Sequence, residues 1–69
     1  MVKAMRVRVI EKVEMLINDK AYNVDEVLVV KELEGFEDCY AHYFHNGKDF
    51  TVDWIPKSKV IMCEVVQYV

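Results

Sequence analysis

The chain has 69 residues, of which 54% are apolar, and its nine basic and twelve acidic residues give a net charge of −3. This length allows one small domain, residues 1–69, and excludes a large core, because a chain of this size buries only about 60% of its unfolded surface. The apolar fraction excludes intrinsic disorder, and the small acidic excess disfavours general binding to nucleic acid, since phosphate attracts basic surfaces.

No apolar run approaches the ~18 residues that span a bilayer, and the start lacks the basic-then-apolar pattern of a signal peptide. We therefore expect a cytoplasmic protein without membrane association. Cys39 and Cys63 fit that compartment as two reduced, buried thiols, because cytosolic conditions keep cysteines from pairing. In a secreted chain, a bridge between these two residues would be the only possible connectivity.

From Met5 to Ile17 the odd positions are mostly apolar and the even positions include most of the charged residues. A period of two predicts a half-buried strand. Its outer side carries three cations: Arg6, Arg8 and Lys12. Glu11 interrupts the apolar row, which indicates a bulge or a bend. A turn is predicted at Asn18-Asp19-Lys20.

The second predicted strand runs from Val27 to Leu33, and four consecutive apolar residues open it. Such a run is typical of a strand that is buried on both faces, covered by the loop before it or by a partner chain. Glu34-Gly35 predicts the next turn.

An aromatic strand is predicted from Phe36 to His45. Because Cys39 and Ala41 are small, they suit the crowded interior of a narrow barrel. The alternate residues then point outward, and all of them carry rings: Tyr40, His42 and Phe44. Asn46-Gly47 predicts a two-residue type I′ hairpin, since this pair adopts positive φ angles most readily.

The fourth predicted strand, Phe50 to Ile55, alternates apolar and polar residues. Pro56 ends its ladder because proline has no amide proton. The segment from Pro56 to Lys59 is long enough only for one 3₁₀ turn, and alternation from Val60 onward predicts the last strand. The sequence therefore predicts an all-β fold of five strands with one short 3₁₀ turn before the last strand.

From Asp25 to Val60 the order of these features resembles an SH3-like barrel. Residues 24–30 are similar to the family's acidic lead into its second strand, and Asn46-Gly47 stands where the family has its distal hairpin. The segment from Ile55 to Val60 resembles the proline-led 3₁₀ turn that enters the last strand. The resemblance implies a five-stranded barrel and carries over only Pro56 as a site position. It does not imply polyproline binding, because Lys59 stands where the family's turn has a tyrosine.

A second resemblance covers fewer residues. Residues 54–58, from Trp54 to Ser58, are similar to segments in short proteins of phages and mobile elements. This resemblance implies a small accessory protein that binds and modulates a partner.

The residue types allow two kinds of chemistry, a zinc site and a cysteine nucleophile. Cys39, His42 and His45, with Cys63, contain zinc-ligand types, but a spacing of three alternates faces on a strand and prevents convergence. A cysteine nucleophile needs an open, electropositive niche, whereas both cysteines lie in apolar rows. We therefore expect no metal, no cofactor and no enzymatic activity.

The remaining expectation is a protein-interaction module that also associates with copies of itself. Its expected protein-binding residues are Tyr40, His42, Phe44, Trp54 and Pro56, since exposed aromatic residues dominate binding energy at interfaces. The alternative is a nucleic-acid-binding barrel in which bases stack on the outward rings and phosphates contact nearby cations. Those cations would be Arg6, Arg8 and Lys12.

Overall fold

The protein is described from a computed structural model that covers residues 3–16 and 19–68. These residues form seven strands and one 3₁₀ turn: β1 (Lys3–Val9), β2 (Val13–Met15), β3 (Lys20–Tyr22), β4 (Val27–Glu32), β5 (Cys39–Asn46), β6 (Asp49–Pro56), the 3₁₀ turn (Lys57–Lys59) and β7 (Val60–Tyr68). The predicted all-β class and the single 3₁₀ turn before the last strand are confirmed. Nowhere in the two described ranges is there a helix that is long and apolar enough to cross a membrane.

Five strands form one antiparallel sheet in the order β6-β5-β4-β1-β7, while β2 and β3 pair with each other as a separate hairpin. β1 lies between β4 and β7 and is hydrogen-bonded to both. In the part of the chain that the structure describes, no ladder joins β6 to β7, so both are edge strands of this sheet.

The core lies on one face of the sheet, which we call the inner face. Met5, Val7 and Val9 of β1 point into it, and all three are fully buried. This confirms the alternation predicted for the first strand. The other core residues come from both sheets: Val13, Tyr22, Leu28, Val30, Ile55 and Val60. Because Val13 and Tyr22 belong to the β2–β3 hairpin, that hairpin covers the inner face.

The predicted first strand is two strands, separated at the predicted bend. β1 ends at Val9, and the amides of Ile10 and Glu11 both donate to the carbonyl of Lys59, at 2.8 and 3.3 Å. These bonds to the 3₁₀ turn replace the ladder and redirect the chain toward β2. Ile17 and Asn18, which the strand and turn predictions included, lie outside the described residues.

β4 is buried on one face only, so the prediction of burial on both faces is wrong for the single chain. Leu28 and Val30 are buried, whereas Val27 and Val29 are 55% and 51% exposed. Val29 pairs with Arg6 of β1. The two exposed valines thus lie beside charged residues on the face opposite the core, which we call the outer face.

The hairpin between β5 and β6 turns one residue later than predicted. Asn46 pairs with Asp49, which leaves Gly47 and Lys48 as the two loop residues. Of these two only Gly47 has a positive φ, at 69°. A positive φ at the first central position alone belongs to a type II′ turn, whereas type I′ requires it at both. The turn predicted at Glu34-Gly35 is confirmed, with Gly35 at φ 88°.

Candidate functional site

The two faces of β5 are the reverse of the prediction. Tyr40 pairs with Ile55 and His42 pairs with Asp53. Paired residues share a face of the sheet, and both Ile55 and Asp53 are buried on the inner face. By alternation Phe44 also lies on this face. The prediction that Tyr40, His42 and Phe44 point outward is therefore wrong.

The prediction was wrong because it took the small size of Ala41 as a sign that this residue faces the core. Ala41 is fully buried, but it lies on the outer face. Its cross-strand partners are Trp54 on β6 and Lys31 on β4. Both partners have long side chains, and directly paired residues are neighbours on one face of the sheet. A small residue in a strand thus indicates that its position is closely packed, but it does not show whether that position faces the core.

Each of the three inward rings contacts the β2–β3 hairpin, the core or a lysine. Tyr40 packs against the core cluster, and the Nζ atom of Lys57 lies 4.9 Å from its ring centroid. His42 meets the ring of Tyr22 edge to face, with centroids 5.5 Å apart. The Nζ atom of Lys20 lies 3.7 Å from the ring centroid of Phe44. These contacts make the three rings packing groups of the inner face.

A buried polar pair lies beside these rings. The Tyr22 hydroxyl donates a 2.5 Å hydrogen bond to Oδ2 of Asp53, and both residues are almost fully buried. Burial raises the pKa of Tyr22 well above its ordinary range, and the bond to Asp53 and its negative charge raise it further. The sequence did not reveal this pair, because Asp53 belongs to the polar row of β6, and a polar row usually indicates the solvent side of a strand.

The exposed aromatic residues of the molecule lie on the outer face. Trp54 stacks on Phe36 with centroids 4.5 Å apart and ring planes 16° from parallel. Tyr43 is 44% exposed, and the Nζ atom of Lys31 lies 5.3 Å from its ring centroid. We call five exposed apolar residues of β4, β5, β6 and the β4–β5 loop the outer patch: Val27, Val29, Phe36, Tyr43 and Trp54. Of the predicted protein-binding residues, only Trp54 belongs to it.

Pro56 and His45 both pack against neighbouring residues of the β5–β6 hairpin. Pro56 is half-buried at the end of β6, opposite Cys39. His45 lies against the ring of Phe50, with centroids 3.9 Å apart.

Both cysteines are free, but Cys39 is only half-buried and Cys63 is exposed, so their predicted burial is wrong. Over residues 3–16 and 19–68, no three side chains of metal-binding type converge.

The predicted cations do not lie beside the predicted rings. Arg6 and Arg8 pair with Val29 and Val27 and therefore lie on the outer face, opposite the three inward rings. Arg6 forms a salt bridge with Glu64, and Arg8 forms one with Asp25 at 3.1 Å. The Nζ atom of Lys12 is 3.6 Å from a carboxylate oxygen of Glu14. Each cation is thus paired with a carboxylate, which weakens its attraction for phosphate.

A groove that the sequence did not indicate separates β2 from β6. It is open to solvent, has a volume of about 780 Å³ and is lined by residues 14–16 and 50–54. Leu16 and Phe50 are 88% and 69% exposed at its walls. Large apolar side chains with this exposure can contact a bound molecule without any rearrangement of the core.

No protein-family model, curated protein or solved structure shows a significant match to this chain.

Proposed function

We propose that the chain is a non-enzymatic protein-interaction module built on an SH3-like barrel, and that it binds protein through the outer patch. The stacked pair of Trp54 and Phe36 on an exposed sheet face carries this proposal. The simplest partner is a second copy of the chain, which makes the protein a homo-oligomer.

Three features support the SH3-like architecture. The hairpin between β5 and β6 stands where the family has its distal hairpin, and the 3₁₀ turn after Pro56 leads directly into the last strand. The β2–β3 hairpin also occupies the long connection between β1 and β4 and packs over the inner face. With this cover in place, the opposite face of the sheet is the one left open for binding.

The composition of the outer patch supports a protein partner. Contiguous exposed apolar surface marks interaction sites, and tryptophan and tyrosine supply much of the binding energy at protein interfaces. Trp54 is already held by Phe36, and Tyr43 lies near Lys31. Because these contacts restrict the rings before binding, less side-chain entropy is lost when a partner covers them.

The nucleic-acid alternative receives less support from these contacts. Arg6, Arg8 and Lys12 are each paired with a carboxylate, and the chain has a net charge of −3. Binding to phosphate would also fall steeply as salt concentration rises, whereas an apolar interface responds little. Salt dependence thus separates the two functions.

Sedimentation velocity over a range of protein and salt concentrations tests the proposal. We expect the wild type to form dimers as its concentration rises, with little effect of salt. The double variant Val29→Ala with Tyr43→Ala removes two members of the patch and should remain monomeric.

The matched control is Ile61→Ala with Val66→Ala, which removes two residues of similar exposure on β7, at 46% and 45%. This control should dimerise like the wild type. A wild type that stays monomeric at every concentration, or a patch variant that dimerises as well as the control, would contradict the proposal.

A further inference from the structure

Between Asp49 and Ile55 the free edge of β6 has no bulge, lysine or proline, and its inward-pointing charge, Asp53, is hydrogen-bonded to Tyr22 beneath the sheet. Edge strands are commonly protected by bulges, lysines or prolines. β7 has this protection, since its pairing with β1 contains two register shifts. β6 pairs with β5 without interruption from Cys39–Pro56 to Asn46–Asp49, and no lysine or proline occurs between Asp49 and Ile55. The two edges of the sheet therefore differ in their capacity to accept another strand.

The register of the hairpin shows which backbone groups lie on that edge. The pair that closes a two-residue hairpin exchanges both hydrogen bonds, and such pairs alternate with pairs that exchange none. Asn46 and Asp49 form the closing pair. The amides and carbonyls of Phe50, Val52 and Trp54 then point away from β5, and no loop or turn among the described residues bonds to them. These three residues line the β2–β6 groove.

The side chains of the groove define the chemistry of an occupant. Its apolar walls include Met15 and Leu16 on one side and Phe50 and Trp54 on the other. Its accessible charged lining residue is the acidic Glu14, because Asp53 is almost fully buried. The side chain of Glu14 is 63% exposed, so it is accessible to a second cation besides Lys12. An occupant with apolar and basic side chains matches these walls.

We propose that the groove binds an extended segment of another protein, which pairs with the free edge of β6 as an additional strand. Its apolar side chains alternate with lysine or arginine residues, because alternate residues of a strand point to opposite sides. Backbone hydrogen bonds supply affinity in this mode and the side-chain pockets supply specificity. A second copy of β6 fits less well, since that strand has threonine and aspartate between its apolar residues and contains no lysine or arginine.

The probe for this site is a blocked heptapeptide in which valine and lysine alternate. Nuclear magnetic resonance titration of the full chain should show that the peptide slows hydrogen exchange at the amides of Phe50, Val52 and Trp54. Two control peptides should fail to do so: one with glutamate in place of lysine, and one with alternate backbone nitrogens methylated on the edge that faces β6. Equal binding of either control would overturn the proposal.

The substitution Val52→Pro tests the same edge by changing the protein instead of the peptide. It removes an amide that faces the groove and leaves the ladder to β5 intact, because proline is tolerated where the edge nitrogen faces outward. We expect the heptapeptide to bind about tenfold more weakly, which corresponds to about 1.4 kcal/mol. The control Val52→Ala retains the amide and should change binding much less. Should Val52→Pro not fold, the methylated peptide still decides the question.

The peptide site and the outer patch share Trp54, but variants at their other residues test the two proposals separately. The double variant of Val29 and Tyr43 lies outside the groove and should bind the heptapeptide as the wild type does. If it loses the peptide, the groove is not the binding site. Protection of Phe50, Val52 and Trp54 that grows with protein concentration in the absence of peptide would show a second copy on this edge instead, and would also overturn the proposal.

Discussion

The hydroxyl of Tyr22 and the carboxylate of Asp53 are joined by a 2.5 Å hydrogen bond beneath the sheet. Tyr22 ends the short strand β3 and Asp53 lies in the edge strand β6, so the bond connects the two sheets of the fold. A carboxylate is strongly unfavourable in a buried place unless it is hydrogen-bonded. The pair therefore links the β2–β3 hairpin to β6. Since β2 and β6 form the two walls of the groove, the same bond holds these walls together.

Tyr22→Phe should lower the free energy of unfolding by about 1.5–3 kcal/mol, the range for a hydrogen bond to a charged group. The substitution keeps the ring in the core and removes only the donor to Asp53. Urea unfolding followed by fluorescence measures the change. Tyr43→Phe is the matched control, because Tyr43 is 44% exposed, and it should alter stability little. Equal stability of the two variants would show that the bond contributes nothing.

The same pair predicts a loss of stability at alkaline pH. Burial, together with Asp53, raises the pKa of Tyr22 above its ordinary value of 10.0. Above pH 10 the unfolded chain loses this proton while the folded protein keeps it, so the unfolded state binds fewer protons. The free energy of unfolding then falls as pH rises, with a slope that approaches about 1.4 kcal/mol per pH unit.

Below pH 10 this contribution is fully present. Unfolding curves at several alkaline pH values should therefore show a steeper decline for the wild type than for Tyr22→Phe. The comparison isolates Tyr22, since the lysines and the other tyrosines titrate in both proteins. Parallel declines would contradict the prediction.

The positions of most strands along the chain were predictable from the sequence, but the direction of their faces was not. Among the described residues there are also seven strands in two sheets, where the sequence predicted five strands in one barrel. In β1 the charged residues Arg6 and Arg8 identify the side that faces solvent. The alternate residues were therefore predicted to be buried, and they are: Met5, Val7 and Val9. In β5 neither row contains a strongly charged residue. A period of two then defines two faces but not which of them meets the core, and only pairing with β6 decides between them.

β6 shows the converse problem. Asp53 is polar and buried, whereas Trp54 is apolar and 38% exposed. Hydropathy alone assigns both to the wrong face, because the burial of Asp53 depends on the hydroxyl of Tyr22, thirty-one residues earlier. The outer patch and the groove were missed for the same reason: both depend on which face of β6 is turned inward.

Ile55→Ala should be the more destabilising of two isoleucine substitutions. Ile55 is fully buried in the core, whereas Ile61 is 46% exposed on β7. Removing a buried isoleucine side chain leaves a cavity and lowers the free energy of unfolding by about 2–5 kcal/mol. Ile61→Ala removes the same atoms from a partly exposed position and should have a much smaller effect. Thermal and urea unfolding of both variants provide the comparison, and similar losses would contradict the assignment of the core to the inner face.

Gly47→Ala should destabilise the β5–β6 hairpin through its backbone alone. Gly47 has a φ of 69°, and a Cβ atom added there would meet no heavy atom within 4 Å. An L-alanine at positive φ is strained by about 1–2 kcal/mol, so urea unfolding should show a loss of that size. A synthetic chain with D-alanine at this position is the control, because D-residues favour positive φ, and it should be at least as stable as the wild type. Equal losses for the two alanines would mean that the added methyl group clashes with a neighbour, and the strain would then not lie in the turn.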